Sequence, residues 1–599
     1  MKKKEVIILL AFLLFSFLYY ALILPRILPP KNPQAASKPG AEAQPEMEAA
    51  ATRPALASAP ATAPAQTKPA VEQPATASSA VVKPVEVAPL ENGKIKVLFS
   101  QAGAGVRKVI LSEWTMPQPR STEPLAVMEQ HPAGPPLGAL LQIRPDATLG
   151  NPLYEVEAAQ GAERVFTLRL SNGLWIEKRF SLGEGDRSYS LKMVLTVGNA
   201  SKEEVTVEPS LVSATGIDWE SDANDDPTGI AVQALMLSKN ASGAFKREYA
   251  AYGSVTGAKP HVFSNENPVW FGITNGYFLI AARPTKDFKC KRAVVSRIGE
   301  GPRDNTCLSM ALESKAMEIA AGKELKSAWV FYFGPRVENY LETEPELANV
   351  IDYGAYLGWI KKPISLAMQA ILGFFYRLTG NYGMAILLLT IVVRIAMHPL
   401  TRKQQLQGYR MQLLQPDLKK IQVKHKDNKQ KLTEEQMKLW RKHNVSPVGC
   451  LGPMILQLPI FLALWFTLTY AIELRKAPFI WWINDLSRPD RIMELPFRLF
   501  NIHSIRLLPI LSMVSMFLMK PPTPKPDPSD QAAVEQARQS KMTMYLMGVM
   551  MGVMFYNMAS GLMLYWVASS VFGYLEILYI KKKYHLETPA QAEAQKPGS

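Results

Sequence analysis

Arg394 lies inside the run from Tyr382 to Leu400, which is long enough to span a bilayer, and it is the one residue there certain to be charged. An arginine deep in a membrane helix costs roughly 2.5–3.5 kcal/mol on insertion scales, so it faces protein or a wet cavity. Helical spacing puts Thr390 four residues before it and His398 four after, one polar stripe on an otherwise apolar helix. The stripe therefore reads as the wall of something hydrophilic within the membrane. The long arginine stem also permits snorkelling toward headgroups beyond Leu400. Gln457 and Asn557 lie in or beside two later apolar runs, placed either to join Arg394 in a cavity or to hydrogen-bond between helices. Met544, Met547, Met551, Met554 and Met558 repeat at three- and four-residue steps along one helix face. Thioethers bind Cu(I), but clustered methionine also forms an adaptable apolar surface suited to many different apolar segments, and that is the reading adopted. Glu576, near the end of the last apolar run, is placed to reach water.

Six segments read as membrane spans: Val6–Leu24, Tyr382–Leu400, Leu451–Ile472, Leu499–Met519, Met542–Met558 and Leu562–Ile580. His503 and Arg506 interrupt the start of the fourth. The formal charge of +15 is concentrated: Thr401–Gly449 holds twelve Lys/Arg against four Asp/Glu. Between two spans such a basic run marks a cytoplasmic loop rather than a nucleic-acid site. Lys2–Lys4 and Lys581–Lys583 agree, so both termini are expected in the cytoplasm. The first span reads as an uncleaved anchor, because Pro25, Arg26, Pro29 and Pro30 follow it instead of a small-x-small site.

Residues 29–90 are rich in Ala and Pro and read as a flexible tether. From there to about 340 the texture is short alternating strands. Phe166, Leu168 and Leu170 alternate, Ser171-Asn172-Gly173 signals a hairpin, and Leu174, Ile176 and Phe180 follow; Tyr189 to Val197 alternates again. A large β-sandwich is expected. Residues 341–380 bring a linker and an amphipathic helix over Ile364–Gly380, lying on the outer membrane surface or packed on the bundle. Gln404–Asn444 predicts two amphipathic helices joined near Lys426–Lys429, within a cytoplasmic hairpin over 401–449. Cys290 and Cys307 share the outside region, where spacing alone leaves their pairing open, and Cys450 reads as a packing residue. Enzyme signatures for nucleotide phosphate, zinc or a serine elbow are missing, and Gly183-Glu184-Gly185-Asp186 reads as a turn.

Several longer motifs carry a resemblance. The segments Asp352–Pro363, Arg394 through His398-Pro399-Leu400-Thr401, Asn444–Phe461 and Ser560–Trp566 occur in the order seen in the YidC/Oxa1/Alb3 family of membrane protein insertases, which the chain resembles. Upstream, Tyr277-Phe278 and Phe333-Gly334-Pro335 resemble landmarks of the periplasmic domain that the family carries in two-membraned bacteria. The resemblance implies five core helices, spanning 381–585, around a hydrophilic groove open to the cytoplasm and to lipid but closed outside. Arg394 would draw in the acidic or polar part of a substrate, Thr390 would line the groove, and Tyr565 with Trp566 would offer aromatic contacts. The substrate's apolar helix would slide into lipid along the spans of Gln457 and of the methionine stripe.

The expected fold is therefore a polytopic α-helical membrane protein: an anchor (1–28), a tether (29–90), an extracytoplasmic all-β sandwich (91–340), a five-span core and a short tail (586–599). The expected function is membrane protein insertion and chaperoning without cofactor or metal. Newly made membrane proteins would be the substrates and lipids the surroundings. The Sec translocon would be a partner, with ribosome and targeting receptor reached through the hairpin and tail. The competing class is a solute transporter or channel with Arg394 as an anion site, against which stand no inverted repeat and no second intramembrane charge.

Overall fold

The computed structural model describes residues 85–583, apart from 116–121, 145–146, 158–160, 218–231, 257–258, 265–267, 285–287, 300–305, 352–357, 426–427, 444, 446–451, 500–501 and 519–530. The expected anchor at Val6–Leu24, the tether, the tail and Cys450 lie outside the described residues.

Residues Leu90 to Pro335 form antiparallel sheets of nine, six and four strands, with a short two-stranded ribbon. The nine-stranded sheet runs through Glu324–Pro335, Ser190–Asn199, Leu174–Leu182 and Glu163–Arg169, and the two other large sheets pack on it. Alternation explains this: Leu174, Ile176 and Phe180 face inward, where Phe99 of the four-stranded sheet meets Phe166 and Phe180 at 5.9 and 5.1 Å. The expected hairpin turn is present, with Gly173 at φ +82°. One inward position on that strand is charged. Lys178 is fully buried, and its Nζ donates to the carbonyls of Gly103, Ala104 and Gly138 at 2.7, 3.1 and 2.8 Å. Burial pushes its pKa well below the ordinary lysine value.

Cys290 and Cys307 open the neighbouring strands Cys290–Ile298 and Cys307–Ser314, but the register pairs Cys290 with Ser314 and Ile298 with Cys307. They stand at opposite ends of one ladder and both are free thiols, which closes the pairing question.

Among the described residues the longer helices are α1 (Gly358–Thr379), α2 (Tyr382–Leu413), α3 (Gln415–Lys424), α4 (Lys429–Lys442), α5 (Gly452–Tyr470), α6 (Leu507–Leu518), α7 (Gln531–Met554) and α8 (Ser560–Lys583). Among the described residues two are long and apolar enough to cross a membrane, Tyr382–Met411 and Ser560–Lys583, and Pro459–Tyr470 is a shorter apolar helix. Two expectations change. The first core helix continues through Pro399 to Leu413, so the span runs unbroken into the hairpin arm. The segment expected to span from Leu499 instead opens with strands Met493–Leu499 and Ile502–Ile505, and helix begins only at Leu507. Its amides are held there by Asp490, whose Oδ2 accepts from Leu507 N and Leu508 N at 2.8 and 3.0 Å. The amphipathic helix α1 packs on α2 and α5 through buried Met368 and Leu372, and Thr467 Oγ1 donates to Ser365 Oγ at 2.9 Å. Its other face leaves Phe374 and Leu378 exposed.

The β-domain seats on the bundle around Tyr470–Lys476. Lys476 Nζ donates to Thr115 Oγ1 at 3.2 Å, the Arg475 guanidinium lies 5.4 Å from the Phe278 ring centre, and Arg336 lies 5.7 Å from that of Tyr470.

Candidate functional site

Helix α2 presents Ile386, Thr390, Arg394 and His398 along one face, each four residues from the last. Ile386 and Thr390 are fully buried, whereas the side chain of Arg394 is 25% exposed and that of His398 39%. Access thus opens along the helix from the Tyr382 end toward the basic hairpin. At 1.5 Å per residue Arg394 stands about 18 Å along from Tyr382.

Arg394 meets α8. Its Nε and Nη2 donate to Ser569 Oγ at 3.1 and 2.7 Å, and Nη2 also donates to the Ser569 carbonyl. Its Nη1 lies 3.9 Å from Glu576 Oε2, while Glu576 Oε1 is 2.8 Å from His398 Nδ1. Gly573 makes the approach possible, since a Cβ there would sit 3.0 Å from Cζ, Nη1 and Nη2 of the arginine. Ser569 and Gly573 were not singled out from sequence, although with Glu576 their four- and three-residue spacing on α8 is a readable stripe. Glu576 does not simply reach water. It is the second charge whose absence had counted against a transporter.

Several expected groove residues lie elsewhere. Thr390 does not line an open groove: its hydroxyl donates to Ile386 O at 2.7 Å, because one turn toward Tyr382 the helices close. Tyr565 is buried in the apolar core of the bundle, and its hydroxyl faces Ser569. Trp566 packs against Phe461 and Phe555, with ring centres 5.5 and 5.1 Å away, instead of offering a free aromatic face. Asn557 joins a different arginine, accepting from Arg506 Nη1 at 2.6 Å. Met551 and Met554 turn toward the core, and the outward face of α7 is made by Met542, Tyr545, Leu546, Val549 and Val553. The side chains of Gln457, Met544 and Met547 lie outside the described residues.

The Tyr382 end is closed by a polar cap. Arg506 is fully buried, donating to Tyr556 O at 2.8 Å and to Ser504 Oγ at 3.2 Å, beside Asn557. Asp485 O accepts from Ser560 Oγ at 2.6 Å, and the amides of Ser560 and Gly561 donate to the carbonyls of Arg488 and Leu486 at 2.7 and 2.8 Å. The start of α8 is thereby tied to the Asp485–Arg488 loop. Among the described residues no group of three His, Cys, Asp or Glu side chains is arranged to hold a metal.

Residues 374–588 match the model of the 60Kd inner membrane protein family, and residues 88–367 match that of the YidC periplasmic domain. The chain belongs to the YidC family of membrane protein insertases. The membrane protein insertase YidC of Endomicrobium trichonymphae is 35% identical over 315 residues, covering 52% of this chain and 56% of that one. Those of Syntrophobacter fumaroxidans and Nitratidesulfovibrio vulgaris are 29% and 28% identical, over 74% and 82% of this chain and 75% and 85% of their own. Within the YidC family frame the β-sandwich is the periplasmic domain, and the protein resides in the inner membrane.

Proposed function

We propose that this chain inserts membrane proteins through the recess between α2 and α8. It takes their polar segments at Arg394 while their apolar helices pass into lipid. The observation that carries this is the graded exposure along one face of α2: nothing at Ile386 and Thr390, a quarter at Arg394, more at His398. A cation at the inner end of a recess, closed beyond it by a polar cap, attracts charge but gives it no path across. Water admitted that far shortens the apolar distance a polar segment must cross, so no nucleotide hydrolysis is needed.

In this reading there are six spans, both termini and the hairpin α3–α4 are cytoplasmic, and α1 lies at the outer surface with Phe374 and Leu378 in lipid. Apolar substrate helices leave past the outward face of α7. The basic hairpin is the surface offered to ribosome and targeting receptor, and the insertase works alone or beside the Sec translocon. The Arg394–Glu576 pair is the one observation that suits a solute transporter, and the cap at the Tyr382 end argues against it.

The test is site-specific photocrosslinking from position 398 to a stalled single-span nascent chain, with positions 390 and 395 as buried and exposed controls. Crosslinks from 398 that advance along the substrate as it lengthens are expected. Crosslinks from 395 alone, or none, would sink the groove and bring the transporter reading forward.

A further inference from the structure

We propose that Glu576 is a resident carboxylate at the Arg394 seat of the groove, which an acidic substrate exchanges for its own. The proposal rests on the groove reading above. Three features of the geometry support it.

Arg394 is held but not saturated. Its Nε and Nη2 are committed to Ser569, which fixes the plane of the guanidinium. Its Nη1 has Glu576 at 3.9 Å, an ion pair too long to be a hydrogen bond. Glu576 is held by its other oxygen, at 2.8 Å from His398 Nδ1. Its Oε2 is buried and makes no hydrogen bond. The two charges therefore attract one another without being locked together.

A structural ion pair in a membrane interior gains most from short, two-point contacts, which charge-assisted pairs adopt when free to do so. Here the contact is long on one side and short on the other. An incoming carboxylate that reaches hydrogen-bond distance of Nη1 makes the bond Glu576 does not make, while Glu576 stays held by His398. Glu576 therefore keeps one hydrogen-bond partner during the exchange. Glu576 then sets specificity: it competes with acidic segments, so they are held briefly and released, while neutral polar segments gain nothing by displacing it.

The experiment uses the full chain in proteoliposomes, with a photoreactive phenylalanine replacing Tyr579, whose ring centre lies 6.3 Å from that of His398. Two stalled substrates are compared, identical except that the translocated segment carries two aspartates or two asparagines. With Glu576→Gln the crosslink yield of the acidic substrate, relative to the neutral one, should rise about tenfold, because a competing charge at this distance has gone. With His398→Ala, which releases Glu576 onto Arg394, the same ratio should fall. An unchanged or lowered ratio in Glu576→Gln, with the substrates still crosslinking, overturns the exchange while leaving the groove. Absence of crosslinks to either substrate, in the otherwise unaltered chain, overturns both. Membrane level and thermal midpoint of each variant separate misfolding from loss of selectivity.

Discussion

Gly573 makes a demanding prediction because its two consequences pull apart. Alanine there places a Cβ 3.0 Å from three atoms of the Arg394 guanidinium, tighter than nearly all real contacts. What gives way is the tip of a flexible side chain, so α8 need not move. Alanine favours the helix over glycine by about 1 kcal/mol. Displacing the guanidinium weakens its bonds to Ser569, and a charged hydrogen bond is worth roughly 1.5–3 kcal/mol. The net cost to stability is then about 0.5–2 kcal/mol, within the range of a mildly overpacked core. The seat itself loses its orientation. A misplacement worth about 1.4 kcal/mol lowers retention of an acidic substrate about tenfold. Gly573→Ala should therefore lower the thermal midpoint only modestly in detergent while slowing insertion of an acid-bearing substrate severalfold in proteoliposomes. Lysine at 394 has no guanidinium fork to meet the new Cβ, so the alanine effect should shrink in an Arg394→Lys background. The same loss in both backgrounds would show that alanine acts through helix packing, and unchanged insertion would show that the guanidinium does not depend on Ser569.

Three further outcomes are expected. Lys178→Met leaves the carbonyls of Gly103, Ala104 and Gly138 without their donor, at about 1–3 kcal/mol for each buried group, so amide exchange over Leu174–Leu182 should accelerate in the full chain. Because burial lowers the folded pKa of Lys178, the unfolded chain binds the extra proton between that value and about 10.4; protection should rise with pH across this window in the native protein and lose that slope in Lys178→Met. Burial pushes the Cys290 thiol up to about 12, so alkylation at pH 8 should be much slower than for a free cysteine, and reduction should leave electrophoretic mobility unchanged. Arg506→Met should depress the thermal midpoint much more than Arg394→Met, whereas Arg394→Met should depress insertion more per unit of stability lost.

The parts legible in the sequence are those written in one segment. Alternation between Phe166 and Val197 specifies the strands and their hairpin because a sheet's period is local. The position of Arg394 is legible for the same reason: a charge in the middle of an apolar run needs no partner to be noticed. What Arg394 touches is not local. Ser569 and Glu576 stand 175 and 182 positions away, and only the packing of α2 on α8 decides which face of α8 it meets. The four-residue step that correctly put Thr390 on the Arg394 stripe says nothing of depth, and one turn separates an open site from a closed one. Arg506 read as an interruption because the pattern of a broken span and that of a buried cation are identical until Tyr556 and Asn557 fold over it. Lys178 had inward parity all along, but its charge argued for the surface. The carbonyls that receive it belong to turns 40 to 75 residues away.

On the proposed groove reading, the two arginines of the bundle divide support from action. Arg506 is shut away completely, with backbone, amide and hydroxyl acceptors around it and the Tyr556 ring centre 4.9 Å from its guanidinium carbon. Such a cation costs too much to move, and it holds the strand pair to the residues that follow α7. Arg394 has the same chemistry and an incomplete shell: two nitrogens fixed by Ser569, a third facing a carboxylate it does not reach. Completing that shell would have made the helix pair more stable and the site inert. The long contact to Glu576 leaves Arg394 something to gain from an incoming group, and on the proposed reading a site that takes up and lets go of many polar segments needs that gain to stay small.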